Sequence, residues 1–235
     1  MASRITSESK MEVSFDSLPE PILQEILAIV GSQYVLDLLG VKRCSNYFNN
    51  YVLKKISFEN CPKFQWEPNE GALAFLKLCE ESGNPEVLFS EGLREFFNYP
   101  NGNIGGLEKL KIAAEGGYNF AKYVYGMIML CSENNESRNE GIKHMRYLRM
   151  TKCIMHSRKK MQEIRQYLWK YNGLLVRNQT LVCKQRPTCG GWRVKRGKWV
   201  LQDDEDDDLS SCENCRWDYE LQFIYSIFSI PWISI

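Results

Sequence analysis

The residues best placed to do chemistry are four cysteines near the end of the chain. Cys212 and Cys215 form the pair CENC, and Cys183 and Cys189 lie upstream with five residues between them. Four thiolates suit a tetrahedral structural zinc ion, and a CxxC turn suits two ligands on one metal. Pro187, Gly190 and Gly191 supply turn chemistry around the first pair. The competing reading makes them reduced cysteines in a small sheet with Trp192, Trp199 and Trp217. A redox pair is not expected, because no βαβ pattern surrounds the CENC.

No other constellation suggests catalysis. The two histidines, His144 and His156, both fall in helical context, and the chain carries no Gly-rich phosphate loop, GxSxG elbow or HExxH. The basic run Arg193–Lys198, flanked by Trp192 and Trp199, has the composition of a nucleic-acid stacking surface. It reads instead as one face of a hairpin, offset by the acidic stretch Asp203–Asp208, and nucleic acid is not an expected partner. A formal net charge of +1 leaves no global field to draw the chain to polyanions.

The cysteines must be positioned by 235 residues, enough for one or two compact domains. The polar N-terminus lacks the apolar core of a secretory signal. The nine cysteines are therefore expected to stay reduced, in an intracellular protein of the cytoplasm or nucleus. No stretch reaches the roughly 18 apolar residues a membrane helix needs. The expected organisation is a leader over 1–13, a helical domain over 14–60, helical repeats with a capping helix over 63–172, a cysteine-containing module of strands and turns over 173–222, and an apolar tail over 223–235. That tail reads as a buried strand or a sticky end. The fold class is mainly α.

Leu18-Pro19 opens the first helix, with Pro19 and Pro21 tolerated in a first turn whose N–H groups have no intrahelical partner. Ile22, Leu23, Ile26, Leu27 and Val30 form an apolar stripe that ends at Gly31 and Ser32. A second helix, from about Val35, places Leu36, Leu39, Val41, Cys44, Tyr47 and Phe48 at three- and four-residue spacings. About 40 residues seldom bury enough apolar surface to fold alone. The stripe therefore packs on the rest of the chain or fills a partner's groove.

From Gly71 onward the chain repeats. Leu73, Leu76, Lys77, Glu81, Gly83 and Gly92 recur 34 residues later as Leu107, Leu110, Lys111, Glu115, Gly117 and Gly126. Those six identities fall in 25 aligned pairs, where average composition gives roughly one or two. With one residue of drift, Gly106 matches Gly141 and Leu107 matches Ile142. This is the period of two-helix solenoid repeats. Gly92 and Gly126 let helices approach closely, while Phe89, Phe96, Tyr123 and Leu130 fill the seam. Two repeats are expected over 71–150. A further helix over Thr151–Tyr171, with Met161, Ile164 and Leu168 on one face, serves as a cap.

The strings LPEPILQEILAIV and DLLGVKRCSNYF resemble the F-box over residues 15–58. The resemblance implies that Leu18, Pro19, Ile22, Leu23, Ile26, Leu39, Val41 and Cys44 bury against a Skp-type adaptor, and through it reach a cullin ligase. AAEGGYNFAKYVYGMIMLC is similar to the Sel-like branch of the tetratricopeptide family. The whole order, closing on a tail with CExCxWxxE, resembles a group of plant F-box proteins. Its layout is also similar to F-box proteins that end in a MYND-type zinc finger, although this tail lacks that finger's dense ligand run. The resemblance implies a non-catalytic subunit that holds a protein substrate close to a ubiquitin-loaded enzyme. The alternative is a ligase-independent scaffold or peptide-binding repeat protein in which the N-terminal helices only cap the solenoid.

Overall fold

The computed structural model describes residues 18–33, 50–58, 68–98, 102–168, 174–175, 181–185, 189 and 212–228. Its elements are α1 (Glu20–Gln33), α2 (Asn50–Lys55), α3 (Glu70–Glu81), α4 (Pro85–Phe96), α5 (Gly105–Glu115), α6 (Asn119–Cys131), α7 (Asn135–Met150), α8 (Ile154–Ile164) with a 3-10 turn over Arg165–Tyr167, and α9 (Glu213–Ile227). The described residues are mainly helical and contain no strand. No helix among them is long and apolar enough to cross a membrane.

Helices α3 to α8 form three helical hairpins, each built on the same turn. After α3, the N–H groups of Ser82, Gly83 and Asn84 donate to the carbonyls of Leu78, Glu80 and Cys79. After α5, Gly116, Gly117 and Tyr118 donate to Ile112, Ala114 and Ala113, and after α7, Thr151, Lys152 and Cys153 donate to Tyr147, Arg149 and Leu148. This bonding satisfies carbonyls that a helix end otherwise leaves open, and it needs one residue in the left-handed conformation. Gly83 and Gly117 take it at φ of 75° and 97°, and Lys152 takes it at 56°. The sequence therefore holds three repeats rather than two and a cap. The third escapes a search for identities because lysine stands where the other two turns carry glycine.

Neighbouring hairpins cross at paired glycines. A methyl group built on Gly106 would lie 2.5 Å from the Gly92 carbonyl and 2.5 Å from the Phe96 nitrogen. One built on Gly141 would lie 2.6 Å from the Gly126 carbonyl. The α4–α5 and α6–α7 crossings are thus the same contact one repeat apart. Phe89, Phe96, Tyr123 and Leu130 are buried in the seam, as their large side chains require.

The N-terminal segment divides its loyalties. Val52, Leu53, Ile56 and Phe58 pack with Ala72, Phe75, Leu76 and Val87 of the first repeat. Asn84, fully buried, ties this junction. Its Oδ1 accepts from Glu86 and Val87 to cap α4, and its Nδ2 donates to the Leu53 and Ile56 carbonyls at 2.8 and 2.9 Å. Phe58 N–H donates to the Glu86 carboxylate at 2.8 Å. Helix α1 packs on α2, with Leu23 and Ala28 buried.

The C-terminal region departs from the strand-and-turn expectation. Its described part carries turns around residues 182–185 and the helix α9, which runs unbroken from Glu213 into the apolar stretch beyond 222. Trp217, Leu221, Ile224, Ile227 and Phe228 follow helical spacing. Cys215, Asp218, Glu220, Phe223 and Tyr225 are buried between them. A helix enclosed on nearly every side has no polar face, so it shows no amphipathic period and its β-branched and aromatic content reads as strand. Trp192, Arg193–Lys198, Trp199 and Asp203–Asp208 lie outside the described residues.

Candidate functional site

Two features stand out: a thiol knot at the start of α9 and an apolar ridge on α1. The CENC string places Cys212 at the N-cap of α9 and Cys215 in its first turn. Cys183 and Cys189 come from the segment that precedes it in the described chain. That segment is aimed by Asp218, whose two carboxylate oxygens accept from Val182 N–H at 2.7 Å and Cys183 N–H at 3.0 Å. Cys189 N–H donates to the Gln185 carbonyl at 2.8 Å.

The four sulfurs lie within 4.8 Å of one another. Cys183 Sγ is 3.8 Å from Cys212 Sγ, and Cys189 Sγ is 3.6 Å from Cys215 Sγ. None of the four is joined in a disulfide. Zinc–sulfur bonds of about 2.3 Å in a tetrahedron set sulfurs about 3.8 Å apart, so these residues fit a thiophilic ion. The backbone N–H of Cys215 holds the Cys212 thiol down to about 7, helped by the neighbouring sulfurs. Burial pushes Cys183 and Cys215 upward. A cation at the centre reverses that burial penalty, because it binds the thiolate form. The cluster could hold a metal, and its residues are the four that the sequence singles out.

On α1, Pro19 and Ile22 are exposed, Leu18 and Ile26 are half-buried, and Leu23 is buried. Leu39, Val41 and Cys44 lie outside the described residues. Ile29 and Val30 extend the exposed surface, at 58% and 43% beside 50% for Ile22. Positions 19, 22, 26, 29 and 30 share one face of a helix. Ile29 was legible at seven residues from Ile22 but falls outside the matched F-box positions.

Sequence reasoning missed what seats α9. Glu213 receives Arg146 of α7 in a two-pronged pair at 2.8 and 2.7 Å. Glu220, fully buried, is paired with Arg158 of α8 and accepts from the Tyr123 hydroxyl of α6 at 3.1 Å. Burial of Tyr123 pushes its hydroxyl well above the ordinary range, so it stays a donor. Phe228 stacks on Phe97 with centroids 4.4 Å apart. The signal was the string CExCxWxxE, in which Glu213, Trp217 and Glu220 are the non-cysteine letters.

These features define a helical-repeat protein of the tetratricopeptide type. The family model described as plant tetratrico peptide repeats matches residues 59–166. An Arabidopsis thaliana protein named as a candidate F-box protein is 30% identical over 228 residues, 88% of this chain and 75% of the relative. A second, named an F-box protein of the same plant, is 29% identical over 150 residues, 61% of this chain and 89% of the relative. No solved structure matches. The chain belongs to the F-box protein family.

Proposed function

We propose that the chain is the substrate-recognition adaptor of a Skp–cullin–F-box ubiquitin ligase, working in the cytoplasm or nucleus and contributing no chemistry itself. Its mechanism is proximity: one end docks on a Skp-type subunit while the repeats hold a protein target near the loaded enzyme. The observation that carries this reading is the exposed ridge of Pro19, Ile22, Ile29 and Val30 on a helix of the F-box segment. Large aliphatics left half in water recover about 1 kcal/mol or more each when a partner groove covers them. The same reading makes the thiol knot a structural zinc site, since closed four-thiolate shells leave no open position for catalysis.

The test is capture of the chain by an immobilised Skp-type subunit. Pro19→Ala with Ile22→Ala removes exposed atoms, so binding is expected to fall at least tenfold with the thermal midpoint unchanged. Undiminished capture refutes the docking role. A second reading, in which the N-terminal helices only cap the repeats, draws on the burial of Val52, Ile56 and Phe58 against α3 and α4. It expects no Skp capture at all, and unfolding of the first repeat when residues 1–58 are removed.

A further inference from the structure

Helix α9 touches every repeat. Its first turn reaches Arg146 of the third, its middle reaches Tyr123 of the second and Arg158 of the third, and its end stacks on Phe97 at the close of the first. In a solenoid each repeat contacts only its neighbours, so a helix laid along the stack is what binds distant repeats into one unit. At 15 residues, α9 spans about 22 Å.

The seat of α9 is not self-sufficient. It buries the Glu220 carboxylate with Arg158, and desolvating an ion pair offsets much of its attraction. It also buries the Trp217 indole N–H, which finds no hydrogen-bond partner among the described residues. The thiol knot sits at the beginning of this helix and joins it to the segment around Cys183 and Cys189. Since ligands scattered in the unfolded chain make no preformed site, metal binding there is folding free energy for what it joins.

Resting on the zinc reading above, we infer that the metal is a latch: binding to Cys183, Cys189, Cys212 and Cys215 docks α9 along the repeats, and metal loss releases α9 while the repeats stay folded. Release would uncover the face around Phe97 and Tyr123.

The experiment uses the full chain under reducing conditions. Zinc per chain is measured by elemental analysis, and amide exchange of residues 213–227 is compared with that of α3–α8 before and after chelation. One zinc per chain is expected, with α9 protection falling on the order of a hundredfold or more on removal and returning on zinc addition, while the repeats keep theirs. Cobalt(II) in place of zinc should show the visible absorption of tetrahedral thiolate coordination. Cys189→Ser, at a half-exposed ligand, should reproduce the release without chelator. Absence of bound metal, with cobalt giving no such spectrum, overturns the zinc reading and the latch with it. Bound metal whose removal leaves α9 protected overturns the latch alone. Equal loss of protection across α3–α9 also overturns it, because the metal would then hold the whole fold.

Discussion

Gly106→Ala tests the repeat architecture at its tightest point. A methyl group at residue 106 meets two backbone atoms of α4, the Gly92 carbonyl and the Phe96 nitrogen, both at 2.5 Å. Ordinary contact begins at 3.4 Å, so each is about 0.9 Å too close. Neither atom belongs to a side chain that can swing away, and α4 and α5 must separate. Forced separation in a packed core typically costs about 1–3 kcal/mol, more when backbone moves. Against this stands up to about 1 kcal/mol that alanine gains over glycine within a helix. The net expectation is a loss of about 2 kcal/mol. The control is Gly126→Ala, whose methyl meets the Cβ of His144 at 3.2 Å and the Gly141 carbonyl at 3.3 Å, both close to the 3.4 Å at which ordinary contact begins. That variant should fall within about 0.5 kcal/mol of the parent, propensity offsetting mild crowding. Both variants are unfolded in urea under one reducing buffer with zinc added, where a 2 kcal/mol loss lowers the midpoint by about 1 M. A Gly106→Ala midpoint matching that of Gly126→Ala would refute the close crossing.

Two further outcomes follow from the same geometry. Lys152→Gly relieves a left-handed lysine at φ 56° and should stabilise the protein by about 0.5–1 kcal/mol, raising the thermal midpoint by about 1–4 °C; a lower midpoint would mean the lysine side chain makes a stabilising contact. Asn84→Ala leaves the α4 N-terminus and the Leu53 and Ile56 carbonyls without partners. It should cost about 3 kcal/mol by urea unfolding, and a cost under 1 kcal/mol would show the junction to be loose.

What the sequence made legible was whatever recurs or is written locally. The 34-residue period is visible because one hairpin is used again, and the glycines that mark it either make its turn, as Gly83 and Gly117 do, or stand at its crossings, as Gly92 and Gly126 do. The four thiols are visible because they stand in the sequence as two closely spaced pairs of one residue type. The third hairpin was half hidden because Lys152 pays conformational strain at a position where glycine would have announced the turn. Helix α9 was hidden more fully: Asp218 and Glu220 look like solvated charge in a sequence and become buried structural groups only once Val182, Cys183, Arg158 and Tyr123 supply their partners. Such partners lie 35 to 97 residues away and leave no local trace.

The junction at Asn84 bears on how such an adaptor would act. A tether that works by proximity gains little if its two ends swing freely, because the effective concentration of a target falls as the volume it explores grows. Here the chain from Val52 to Phe58 is not a swivel. Its carbonyls are held by a buried amide, its apolar side chains share a core with α3 and α4, and its last N–H is held by Glu86. Helix α1 then packs on α2, with Ala28 in the shared core, and leaves Pro19, Ile22, Ile29 and Val30 exposed. The exposed ridge is thus held relative to the repeats through this junction, with Asn84 at its centre. Asn84→Ala accordingly separates two roles, since it leaves the ridge atoms untouched while loosening the ridge from the body. In the proposed ligase it should preserve Skp capture and lower ubiquitin transfer to a bound target.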